Sequence, residues 1–123
     1  MFKFVDFYIF NININYINNK KIMSFLNTSN TKCGLVIGIN YENDTKAKLN
    51  GCINDTQSIS NFLRERCGYQ ENNIELITDY TSIKPTRQNI INAIHMLVAK
   101  VKEINAKEVW FSYSGHGSYI YSS

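Results

Sequence analysis

At 123 residues the chain allows one domain with a modest core. Its 44% hydrophobic and 19% charged residues fit a folded globular protein and argue against disorder of the whole. A net charge of +3, with no Lys/Arg block or basic helix face, gives no footprint for nucleic acid. Cys33, Cys52 and Cys67 are odd in number and lack CxxC spacing, so they read as reduced thiols of an intracellular protein.

Residues 1–31 differ from the remainder. Tyr8, Phe10, Ile12, Ile14 and Tyr16 share one parity and Asn11, Asn13 and Asn15 the other, a half-buried strand pattern. A signal peptide is disfavoured because Asp6 interrupts the apolar run and no small-residue cleavage site follows. The run is also far short of the roughly 20 apolar residues a membrane helix needs. Residues 1–31 are therefore expected to be an extension, poorly ordered or an edge strand, with Met23 as an alternative start. Residues 32–123 are expected to form the domain.

Leu35 to Ile39 is a continuous apolar run, as for a strand covered on both faces. After a polar loop, Asn54 or Asp55 is placed to cap a helix whose inner face carries Ile59, Phe62, Leu63 and Cys67, with Gly68 as its stop. Asn73 to Thr78 is a second strand. Thr86 then caps a helix of about five turns with Ile90, Ile91, Ile94, Leu97, Val98 and Val101 on its stripe. His95 lies beside that stripe and reads as a structural or surface histidine. From Val109 a third strand runs towards a small-residue turn, Ser114-Gly115-His116-Gly117-Ser118.

The order strand, helix, strand, helix, strand, with connections too long for hairpins, predicts right-handed βαβ units and a parallel sheet with helices on both faces. Sites in such sheets lie beyond the carboxyl ends of the strands. With the first strand central, Cys52 and Asp55 come to face Ser114, His116 and Gly117. His116 can exchange protons near neutrality, and glycines beside it permit sharp turning and a Gly117 N–H aimed at a substrate oxygen. A serine hydrolase lacks its Gly-x-Ser-x-Gly elbow, and one histidine without nearby partners is too few ligands for a metal.

Four blocks occur in one order: Gly34-Leu35-Val36-Ile37-Gly38-Ile39-Asn40-Tyr41, Leu49-Asn50-Gly51-Cys52-Ile53-Asn54-Asp55, Pro85-Thr86-Arg87-Gln88-Asn89-Ile90 and Tyr113-Ser114-Gly115-His116-Gly117-Ser118. Together they closely resemble the first part of the caspase-like domain of metacaspases. The resemblance implies a caspase-like three-layer αβα fold with a mostly parallel sheet, incomplete in the order β-α-β-α-β. It implies a cysteine endopeptidase that cleaves protein substrates after Arg or Lys, often with calcium. His116 corresponds to the catalytic histidine and Gly117 to the oxyanion amide. Cys52, Asp55 and Ser114 correspond to the pocket for the basic side chain, and a carboxylate such as Asp55 suits a guanidinium.

The family's nucleophile lies on the next strand, in an Asp-x-Cys-His-Ser-Gly block. This sequence carries neither that block nor the aspartate-rich segment associated with calcium. The chain thus reads as half of a dyad, from a truncated product or a fragment, inactive alone. Cys52 facing His116 is an alternative thiol, with pocket wall or buried thiol the favoured reading. Two other readings stay open: a non-catalytic caspase-like module, or an inactive fragment whose third strand leaves an exposed edge.

Overall fold

A computed structural model of the chain describes residues 2–11 and 31–118. Six main elements follow in order: β1 (Phe2–Asn11), β2 (Lys32–Gly38), α1 (Cys52–Arg66), β3 (Ile74–Thr78), α2 (Arg87–Glu103) and β4 (Glu108–Gly117). The sheet order is β1-β4-β2-β3. β2 pairs in parallel with β3 and with β4, so the first strand of the βαβ units is central. The fold is the incomplete caspase-like α/β arrangement, with one helix on each face.

β1 is an addition to that plan. It runs antiparallel to β4 from Phe2 opposite Gly117 to Asn11 opposite Glu108, and so covers the β4 edge that a three-stranded sheet would leave open. Most of the alternating 8–16 run lies outside the described residues.

Alternation along β2 builds the layers. Leu35 and Ile37 point to one face, where they meet Ile77 and Ala93, with Ile90 and Leu97 of α2 packed against them. Val36 points to the other, with Leu63, Tyr69 and Trp110, and Ile59 of α1 joins them. These β2 side chains are fully or almost fully buried, each contributing about 1.5–3 kcal/mol by leaving water.

The inner face of α1 is only in part the apolar stripe that the sequence suggests: Ile59, Leu63 and Cys67 do pack on the core, and Phe62 does not. Phe62 is half exposed and Cys67 only part-buried, while the buried positions are Cys52, Thr56, Ser60 and Leu63. Small side chains are required there because the helix lies close upon β2. A Cβ on Gly38 would stand 1.9 Å from Thr56 Oγ1 and 2.6 Å from the Cys52 carbonyl oxygen. Thr56 is satisfied at this depth by donating its hydroxyl to the Cys52 carbonyl at 2.8 Å.

The helix also starts earlier than Asn54 or Asp55. Gly51, in a left-handed conformation (φ 100°), precedes its first residue, and Asp55 sits in the first turn. Gly68 does stop it in a left-handed conformation, φ 74°. Thr86 caps α2 as its sequence predicts, accepting from the Asn89 N–H at 3.2 Å. No described helix is long and apolar enough to cross a membrane.

Tyr69, just after α1, is buried between the helix and β4, and its hydroxyl donates to Glu108 Oε1 at 2.8 Å. Burial first, and the Glu108 carboxylate second, push its phenol well above the usual tyrosine range. A phenol held protonated in the folded state and released near pH 10 in the unfolded state makes unfolding easier as pH rises beyond that point. Tyr69→Phe should therefore flatten the loss of stability above about pH 10, at a cost near neutrality of about 1 kcal/mol for the lost hydrogen bond; urea titrations across pH measure both. Gly38→Ala should destabilise by about 1–3 kcal/mol because neither the helix backbone nor Thr56 can yield freely, read as a lowered urea midpoint.

Candidate active site

Beyond Gly38 the chain does not leave the sheet at once. The Ile39 N–H still donates to the Ser114 carbonyl at 2.9 Å, which carries β2 alongside the end of β4. Asn40 then becomes a junction. Its N–H donates to Asp79 Oδ1 at 2.8 Å, and its Oδ1 accepts the Cys52 N–H at 3.0 Å. Its carbonyl accepts the Leu49 N–H at 2.7 Å, closing the loop that begins there. One asparagine thus joins the end of β2, the first residue of α1 and the residue following β3.

The loop from 40 to 49 is held by its own polar groups. Asp44 Oδ1 accepts from the Lys46 and Ala47 N–H groups at 3.0 and 3.3 Å. Lys48 pairs with Glu42 at 2.7 Å, which lowers the Glu42 carboxyl and raises the Lys48 ammonium from their usual values. Both groups face solvent, so the pair fixes geometry more than it adds stability. The result is an Ala47 carbonyl presented to β4.

His116 receives it. Nε2 of the half-buried imidazole lies 2.5 Å from the Ala47 carbonyl oxygen. A carbonyl can only accept, so Nε2 is the donor, and whenever the imidazole is neutral its lone pair lies on Nδ1. Nδ1 is buried and has no hydrogen-bond partner among the described residues. The ring is therefore oriented at one nitrogen and available as a base at the other.

Two tyrosines hold the backbone of that histidine. The His116 N–H donates to Tyr41 Oη at 3.2 Å, and Tyr113 Oη donates to the His116 carbonyl at 3.2 Å. The two hydroxyls are 3.2 Å apart, and since the Tyr113 proton is already given to His116, Tyr41 is the donor between them. Burial first, then the Tyr41 hydroxyl, push the Tyr113 phenol up, so it stays a neutral donor.

The glycine-flanked segment is not a turn: β4 runs straight through Ser114 to Gly117. Neither Gly115 nor Gly117 is among the residues with positive φ. Gly115 is needed for space instead, because a Cβ there would stand 2.6 Å from Tyr113 Oη and block its reach to His116. Gly117 lies opposite Phe2 at the end of the β1 ladder.

Ser114 and Asp55 are brought together. The buried Ser114 hydroxyl donates to Asp55 Oδ2 at 3.2 Å, and Asp55 lies in the first turn of α1, where the helix dipole favours a carboxylate. Cys52 is fully buried at the start of α1, and neither nitrogen of His116 hydrogen-bonds its thiol. His95 is exposed on α2, far along the chain from these loops. Among the described residues no three His, Cys, Asp or Glu side chains cluster as metal ligands. Sequence reasoning missed Tyr41, Ala47 and Asp79; Tyr41 stands inside a quoted block, but nothing in the sequence marks a carbonyl such as that of Ala47.

A histidine at the end of a central-sheet strand, oriented by a backbone carbonyl beside an Asp–Ser pair, is what this end of the sheet presents. Residues 32–122 match the family model of the metacaspase, peptidase C14 domain, and the chain belongs to this family. It is 43% identical over 90 residues to metacaspase-1A of Aspergillus oryzae, covering 71% of this chain and 21% of that protein. It is 45% identical over 93 residues to metacaspase-1 of Eremothecium gossypii, 73% of this chain and 20% of that one. It is also 45% identical over 89 residues to metacaspase-6 of Arabidopsis thaliana, 71% of this chain and 23% of that one. The chain spans about a fifth of the length of the curated relatives it matches.

Asn40→Ala should destabilise the chain by about 1–3 kcal/mol, since it strands the Cys52 N–H at the buried start of α1. Amide exchange checks the cause: the Cys52 amide should lose protection before the β2 amides do.

Proposed function

We propose that this chain supplies the histidine half of a metacaspase-type cysteine endopeptidase acting after Arg or Lys. One observation carries the reading: Nε2 of His116 is engaged by the Ala47 carbonyl, while Nδ1 is buried with no hydrogen-bond partner among the described residues. Nδ1 would take the proton of a cysteine thiol, and the carbonyl would steady the imidazolium that forms. The thiolate attacks the scissile carbonyl, the Gly117 N–H stabilises the oxyanion, and the imidazolium returns its proton to the leaving amine. Asp55, held by Ser114, supplies the negative charge for the substrate's basic side chain, with Cys52 as pocket wall. The nucleophile in this reading is a cysteine outside this sequence, and these residues are assigned no cofactor; the resemblance allows calcium only for a full-length relative. A second reading, a non-catalytic caspase-like module, draws support from β1, which occupies the outer edge of β4.

The chain alone should give no turnover of an Arg-ended fluorogenic peptide, with or without calcium; robust cleavage abolished by Cys52→Ala would move the nucleophile to Cys52. A chimera in which residues 32–118 replace the matching segment of a metacaspase should cleave after Arg. His116→Ala should lower its kcat/KM by about 10²–10⁴-fold, the usual size of general acid–base catalysis. Asp55→Asn should act mainly on KM for basic substrates. A folded chimera that does not cleave, or a His116→Ala chimera as active as its parent, would favour the module.

A further inference from the structure

We infer that Asp79 and Tyr41 act together as positioning residues for His116. The inference rests on the reading of His116 as a base, and neither residue is proposed to touch the reacting atoms.

Tyr41 has φ 59°, in the left-handed region that a bulky aromatic residue seldom enters. Its backbone is held there from both sides. Asp79 Oδ1 accepts the Asn40 N–H at 2.8 Å and Oδ2 accepts the Glu42 N–H at 3.2 Å, so one carboxylate straddles the strained residue. The carboxylate is suited to this because both its oxygens accept, whereas an amide of the same shape offers one acceptor and one donor.

Glycine or asparagine would occupy this backbone position with less strain. A tyrosine there gains something the backbone does not require. Its hydroxyl reaches the His116 N–H and Tyr113, and its ring lies 4.7 Å from the imidazole, tilted 41°. From the left-handed turn at 41 the ring lies back over the end of β4, against His116. Asp79 therefore acts on His116 through Tyr41: carboxylate to backbone, backbone to ring, ring to imidazole. The Ala47 carbonyl fixes one end of the imidazole, and Tyr41 restrains its face and its backbone.

The test uses the full chain with isotope-labelled histidines, the exposed His95 of α2 serving as the internal reference. The variants are Tyr41→Asn, Tyr41→Phe and Asp79→Asn. Tyr41→Asn removes ring and hydroxyl while tolerating the left-handed backbone, so the chain should stay folded, with relief of backbone strain offsetting part of the cost of the lost His116 N–H partner and ring packing. Its His116 should nonetheless react with diethyl pyrocarbonate roughly fivefold faster, about the effect of one lost hydrogen bond. Its imidazole nitrogen shifts should move from a fixed Nε2–H form towards an average of both tautomers. Tyr41→Phe, which keeps the ring, should fall between, and Asp79→Asn should follow Tyr41→Asn; His95 should not change. Should Asp79→Asn fail to fold, Tyr41→Asn decides. Unchanged labelling and nitrogen shifts at His116 in Tyr41→Asn would overturn the inference. These readouts need no turnover, so an inactive chimera with a loosened His116 in Tyr41→Asn would defeat the catalytic reading and leave the positioning role standing.

Discussion

The depth at which α1 sits on β2 governs most of what this chain presents. Gly38 has no Cβ, and the space one would occupy is taken by Thr56 Oγ1 and the Cys52 carbonyl. That contact draws the first turn of α1 down onto the end of the sheet. Only at this depth can Cys52 N–H reach Asn40 and Asp55 reach Ser114, at 3.0 and 3.2 Å. A helix kept farther off by a side chain at 38 would leave a buried N–H unmet and separate the carboxylate from the serine. Backbone proximity, rather than any charged pair, assembles this end of the molecule.

A second organising demand is the satisfaction of polar groups where three strands end. The carboxyl ends of β2, β3 and β4 release backbone groups that the ladder no longer pairs, and burial of such groups without partners is costly. Asn40, Asp79, Tyr41 and Tyr113 meet that demand with side chains. Asp79 takes two N–H groups, Asn40 bridges to the helix, and the tyrosine hydroxyls close a ring of donors and acceptors around the His116 peptide groups. A few buried side-chain atoms stay outside this economy, Asn73 Nδ2 and Ser112 Oγ among them. His116 Nδ1 is buried with no hydrogen-bond partner among the described residues.

β1 adds a constraint of another kind. An edge strand with open N–H and C=O groups is a template for any extended chain, and β4 is long enough to be one. The antiparallel pairing of Phe2–Asn11 occupies it in the same molecule and reaches Gly117. The sheet is thus four-stranded and mixed, although its βαβ core is parallel.

Much of the frame was legible before any coordinates. Continuous burial of Leu35 to Ile39, the Thr86 cap, the Gly68 stop and the alternation of strands and helices all follow from side-chain period and local backbone preference. The four sequence blocks carried the family and the set Cys52, Asp55, Ser114, His116 and Gly117 as candidates. What misled at Phe62 was reading an apolar residue as inward by default. Phe62 faces out and Thr56 and Ser60 face in, because the distance between helix and sheet, not hydrophobicity, selects side chains at a close crossing. Glycines beside a histidine were likewise open to two meanings, a turn or a clearance, and only the position of Tyr113 Oη distinguishes them. By itself, then, the sequence determined the elements and their order, since these depend on neighbours along the chain. The tertiary structure alone decided which nitrogen of His116 is free, which carbonyl orients it and which tyrosine and aspartate hold it. Those facts depend on groups tens of residues apart, brought within hydrogen-bonding distance by the packing of β2, α1 and β4.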